Sequence, residues 1–225
     1  WFPSQEALVG AYPHLAQVVS PGRSYQVACL PILVAERTRA TLGLTFDDAP
    51  PIDEEQKSFL LLVARYAGQA LERLRLLDAC DLSGGTEGEG IEQVIHAFVA
   101  PVIRRLRESP GEEHPFAQLM GRVFNEPSEE VKSMLVQEFK LTADRFLDAL
   151  RLLLPHLSEE ELMWRFHFLA GGMGHTVSCR KMIAKFSSVC AGSSSEEMLR
   201  YLVTFMASGL RAPATAGSDL QGEPA

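Results

Sequence analysis

Long apolar runs are missing from this chain. No stretch approaches the ~20 residues needed to span a bilayer, which excludes a membrane-spanning helix. No basic segment is followed by a short apolar one, so a secretory signal is not expected either. Basic charge is scarce: 21 Lys and Arg stand against 29 Asp and Glu, a formal net charge of −8. Proteins grip polyanions largely by replacing phosphate counterions with Lys and Arg, so this balance argues against strong nucleic-acid binding by the chain alone. The one dense basic spot, Arg104, Arg105 and Arg107, reads as the solvated face of a helix. Cysteine is limited to Cys29, Cys80, Cys179 and Cys190, with no CxxC spacing, which predicts free thiols in a reducing cytoplasm. There is no GxSxG elbow and no Cys–His arrangement of recognisable spacing, so the chain is not expected to be an enzyme. No cofactor is called for. The chain begins at Trp1 rather than Met, which suggests a start inside a longer product or after processing.

What is present is ordinary globular material, 46% hydrophobic and 22% charged. Ser4 to Val19 has a helical rhythm interrupted at Pro13. Tyr25 to Val34 reads as a half-buried strand and Ala40 to Phe46 as its hairpin partner, with Glu36 to Arg39 as the turn. Asp53 and Gln56 form a capping box at the start of a long helix whose apolar face includes Phe59, Leu60, Val63, Leu71, Leu74 and Leu77. Leu82 to Gly90 holds four glycines and is the clearest boundary in the chain. After it, helices are predicted over Ile91 to Arg107, with a kink or restart at Pro101, and over Glu129 to Leu154. Two more open at the boxes Ser158/Glu161 and Ser194/Glu197 and run to about Lys185 and Leu210. Residues 212–225, rich in Ala, Gly, Pro and Ser, read as a disordered tail.

Leu30-Pro31-Ile32, Thr41-Leu42-Gly43-Leu44, Ile52-Asp53-Glu54-Glu55 and Ala67 to Arg73 resemble the last two strands and final helix of GAF sensory domains. The resemblance covers about a third of the chain and implies a small α+β segment over residues 1–79. A second resemblance spans residues 91–211, after an 80–90 linker. Here His114-Pro115-Phe116 to Met120, Asn125-Glu126-Pro127-Ser128, Phe146 to Leu150, Leu153 to Leu162 and Trp164 to Phe168 are similar to the C-terminal domain of TetR-family regulators. That family implies an all-α domain enclosing an apolar ligand pocket, with its last two long helices pairing across a dimer. The helix-turn-helix of such a regulator is not found in the sequence.

The residues support this picture independently. Glu159 to Lys185 is apolar on nearly every face, and such a helix needs burial on more than one side. Gly171, Gly172 and Gly174 would each cost ~1 kcal/mol against Ala in an isolated helix, which points to close helix approach. No strand precedes them and no Lys follows as a phosphate loop requires. His175 and Cys179, four apart, could share a metal, but two ligands do not make a zinc site, so no metal is expected. The acidic runs Glu54-Glu55, Glu129-Glu130 and Glu159 to Glu161 lie in first helical turns, where they complement the helix dipole.

The expected fold is therefore mainly α, with a small α+β segment in front. The expected role is a ligand-sensing and dimerising module of a transcriptional regulator. Phe98, Met120, Phe124, Phe139, Met163, Trp164, His167 and Met173 are the candidate contacts to a small apolar or aromatic effector. Phe168, Gly171, Gly172, His175, Met198, Leu202, Phe205 and Met206 are the candidate homodimer contacts. The alternative is a GAF-containing signalling protein whose helical half mediates association only.

Overall fold

The computed structural model describes residues 1–17, 25–35, 37–47, 51–105 and 129–215. Two compact units emerge, Trp1–Glu72 and Arg73–Ala225. The division falls inside a helix, ahead of the glycine-rich stretch expected to separate them.

In the first unit Ser4 caps α1 (Gln5–Ala11), its hydroxyl accepting from the Ala7 N–H at 3.3 Å. Proline cannot donate to a helical ladder, and Pro13–Gln17 winds as a 3-10 turn instead. Strands β1 (Tyr25–Val34) and β2 (Arg37–Asp47) pair antiparallel. β2 starts earlier than the sequence suggested. A register shift at Ile32/Leu33 leaves Arg39 unpaired between Thr38 and Ala40, and Ala35 takes a left-handed φ of 47°, so the turn is shorter. Phe2 bridges to Val27 on the other edge of β1.

Helix α2 (Glu54–Leu77) opens with the expected box: Gln56 N–H donates to Asp53 Oδ1 at 2.7 Å, and Asp53 N–H to Gln56 Oε1 at 3.1 Å. Its buried row differs from the apolar stripe read from sequence. Phe59, Val63 and Leu71 are exposed, whereas Ala64, Gln69, Arg73 and Leu77 are buried. Periodicity assigns polar residues to solvent, and here two of them hold inward positions. Gly68 lets α2 approach β1, since a Cβ there would stand 2.2 Å from the Leu33 carbonyl oxygen.

The second unit is helical: α3 (Gly90–Arg105), α4 (Glu129–Leu153), α5 (Glu159–Phe186), the short α6 (Ser188–Ala191) and α7 (Ser195–Arg211). α3 continues through Pro101 without a restart. It supplies Ile91, Ile95, Val99 and Ile103 to a core completed by Phe146 and Leu150 of α4 and by Leu162 and Leu169 of α5. α3 packs mainly on α7 and α4. Ser158 caps α5 through the Glu161 N–H at 3.2 Å, but the reciprocal half of the box is absent because Arg165 and Thr215 engage the Glu161 carboxylate. Ser194 and Glu197 form both halves of theirs. The glycine-rich stretch is not a free linker. A 3-10 turn covers Gly85–Glu87, and Thr86 donates from Oγ1 to the Leu153 carbonyl at 2.9 Å, satisfying an end of α4. Of the expected tail, residues 212–215 are tied to α5 through Arg165 and Glu161, while 216–225 lie outside the described residues.

Candidate functional site

Among the candidate effector contacts, the structure brings Phe98 and Met173 together in the core. The Phe98 ring meets Phe146 edge-on at 5.0 Å and Phe166 at 5.3 Å between centroids. Arg73, at the end of α2, lies over the same ring at 4.7 Å. Its Nε donates to the Phe98 carbonyl at 2.8 Å, and its Nη2 to Met173 Sδ at 3.5 Å. A guanidinium tolerates such burial because stacking and hydrogen bonds replace its hydration. Arg73 was not singled out from sequence, although it sits four residues from both Gln69 and Leu77, one turn either way along the buried row.

The other candidates separate from this pair. Met163 and Trp164 are 45% and 56% exposed, and His167 is exposed beside them, so these three do not join Phe98. Trp164, His167 and Phe168 form an aromatic group on the outer face of α5, with centroids 5.9–6.3 Å apart. Phe139 lies on α4, and Met120 and Phe124 fall outside the described residues.

α5 thus carries two apolar stripes. Leu162, Phe166, Leu169, Met173 and Val177 recur at helical spacing and are buried. On the opposite side Trp164, Phe168, Gly171 and His175 recur at the same spacing and are exposed. On α7, Leu199, Ala207 and Leu210 are buried, while Tyr201 and Phe205 are 59% and 72% exposed. Of the candidate dimer contacts, Phe168, Gly171, His175 and Phe205 therefore lie on an open surface. Met198, Leu202, Gly172 and Met206 are half-buried. A Cβ on Gly172 would stand 2.2 Å from Met206 Cε, so this glycine serves contact between α5 and α7 of one chain. A Cβ on Gly171 would meet nothing within 4 Å.

A cleft of about 350 Å³ lies where the end of α2, α3 and α7 converge. Its apolar walls are Leu76, Ala79, Ala97 and Val203, and its polar groups are Cys80, Glu92, Gln93 and His96. None of the sequence-derived effector candidates lines it. Burial, then the Arg104 charge, lowers the His96 pKa below its ordinary 6.5, partly offset by Glu196. Hydrogen bonding to Arg211 holds the Glu92 carboxyl below its usual range, and burial raises the Cys80 thiol. His96 and Gln93 are one helical turn apart, which is the signal sequence could have offered. Among the described residues no three His, Cys, Asp or Glu side chains are placed to hold a metal, and no helix is long and apolar enough to cross a membrane.

No curated protein and no solved structure matches the chain. The family model described as the tetracyclin repressor-like C-terminal domain matches residues 96–209, half of the chain, and agrees with the helical architecture of that part. It leaves the hairpin segment out, and the GAF-like resemblance finds no support. The chain belongs to the tetracyclin repressor-like C-terminal domain family.

Proposed function

We propose that the helical unit is the effector-binding and dimerising part of a transcriptional regulator, and that it dimerises through the outer faces of α5 and α7. The observation that carries this reading is the exposed row Trp164, Phe168, Phe205 and Tyr201 on two helices already packed together. Isolated surface apolar residues are common, but large aromatics exposed in pairs on two packed helices mark an interaction surface. A twofold axis brings the same face of each copy together, so both helices bury their second stripe at once. Gly171 and His175 then lie in the seam, and Met163 and His167 at its border. The effector is a small molecule with a mainly apolar body. The alternative, a GAF-type signalling protein whose helical half only associates, rests on the hairpin and α2 alone.

Light scattering after size exclusion tests the proposal. The intact chain is expected to run as a dimer at micromolar concentration. Phe168→Glu and Phe205→Glu, both at exposed positions, should give monomers with unchanged helix content. A monomeric parent chain sinks the reading.

A further inference from the structure

The cleft between α2, α3 and α7 differs from the rest of the molecule in the hydrogen-bonding capacity it has left over. Gln93 Oε1 accepts from the Asp81 N–H at 2.9 Å, and a backbone N–H can only face the oxygen of a carboxamide. The Gln93 amide N–H groups are therefore the free end. His96 Nε2 stands 3.2 Å from Arg104 Nη2. A guanidinium only donates, so Nε2 accepts and the neutral ring carries its proton on Nδ1. The side-chain acceptors each already hold a donor. Both Glu92 oxygens are taken by Arg211, the second at 2.5 Å, and the Cys80 thiol donates to the Leu76 carbonyl at 3.3 Å. Among the described residues, the groups without a partner are the donors of Gln93 and His96, above apolar walls of Leu76, Ala79, Ala97 and Val203. Arg104 beside His96 is paired with Glu196 at 3.3 Å, and Arg211 with Glu92, so neither carboxylate stands unbalanced near the cleft.

We infer that this cleft binds a small carboxylate with an apolar body, its oxygens accepting from Gln93 and His96 and its hydrocarbon lying on the four apolar walls. A volume of about 350 Å³ suits a molecule of this kind. This names the chemistry of the effector in the reading above and rests on it. An ammonium head would face the Gln93 and His96 donors, and the Glu92 charge is already balanced by Arg211. An alcohol offers one oxygen, where a carboxylate offers two, one for each donor. Because Val203 lies on α7, an occupied cleft couples the ligand to one of the two helices that carry the outer aromatic row.

Hexanoate is the probe, titrated calorimetrically into the full chain beside hexan-1-ol and hexylamine. Hexanoate should bind more tightly than either. Gln93→Glu keeps the acceptor for Asp81 and replaces the free N–H groups with an oxygen, so hexanoate affinity should fall about tenfold or more. Val203→Trp fills the cleft and should abolish binding. Independently of any variant, the His96 Nδ1–H resonance of the parent chain should shift on adding hexanoate. Absence of that shift, equal binding of hexylamine, or full affinity in both variants overturns the assignment. Failure of the dimer reading is read separately: a dimer that ignores hexanoate removes only this site, and a monomer that binds it removes only the interface.

Discussion

Single residues set close limits on this fold. Gly172 sits beneath Met206, whose terminal methyl is the flexible end of a long side chain. Gly172→Ala should therefore be tolerated as Met206 swings away. Gly172→Leu has no such escape and should cost roughly 1–3 kcal/mol by overpacking between α5 and α7, measurable as a lower urea midpoint. Gly68→Ala should be worse than Gly172→Ala, because its new methyl meets the Leu33 carbonyl, which is backbone and cannot swing aside. His96 gives the fold a pH dependence. Its folded pKa lies below its ordinary 6.5, so the unfolded chain binds the proton more readily. Its contribution is complete above 6.5 and is lost as the pH falls below that value through the lower folded pKa. The urea midpoint should drop as the pH falls below about 6.5, and His96→Gln should flatten that drop. The Glu92 pKa is lowered as well, so its contribution holds above 4.5 and disappears only at lower pH.

At the scale of elements, two arginines hold the C-terminal end of α7. Arg165 on α5 donates from Nη1 to the carbonyls of Gly209, Leu210 and Ala212 at 3.0, 2.9 and 2.7 Å, and from Nη2 to Glu161 at 2.6 Å. Helices end with carbonyls that lack intrahelical partners, and a fork of donors satisfies several of them together. Arg211 works in the other direction. It leaves α7 to donate to the Thr86 and Gly88 carbonyls at 3.0 and 2.8 Å and to both Glu92 oxygens. Lysine brings charge without the planar fork, so Arg165→Lys should lower the melting temperature nearly as far as Arg165→Met, on the order of 5 °C. If Lys fully replaced Arg there, charge rather than geometry would be holding α7.

For the whole molecule, dimerisation should appear in stability as well as mass. A folded state that gains free energy by association melts at a temperature that rises with protein concentration. The parent chain should show that rise across a hundredfold dilution series (about two decades), and Phe205→Glu should not. The exposed aromatics explain the contrast: a glutamate at Phe205 would carry a charge into the apolar seam, where its desolvation opposes closure. Dilution that leaves the parent's melting curve unchanged would count against the dimer, and a rise that persists in Phe205→Glu would move the interface elsewhere.

The sequence by itself determined where helices begin and end in much of this chain, because those signals are satisfied within a few residues. The Asp53/Gln56 and Ser194/Glu197 boxes close locally, and so does the Ser158 half of its box. The mainly helical class and the family followed from the same local order of motifs. Tertiary structure decided which face of each helix turns inward. α5 is apolar on opposite sides, so periodicity could not say that Leu162 and Phe166 face the core while Trp164 and Phe168 face out. It also decided that Gly172 serves α7 of its own chain, that Arg73 is buried against Phe98, and that Glu161 leaves its cap for Arg165. Met206, Phe98 and, for Glu161, Thr215 beside Arg165 are partners far away in the chain, whose positions follow from packing the whole unit. The cleft around His96 is of the same kind: residues 76–80, 92–97 and 203 become neighbours only when three helices converge.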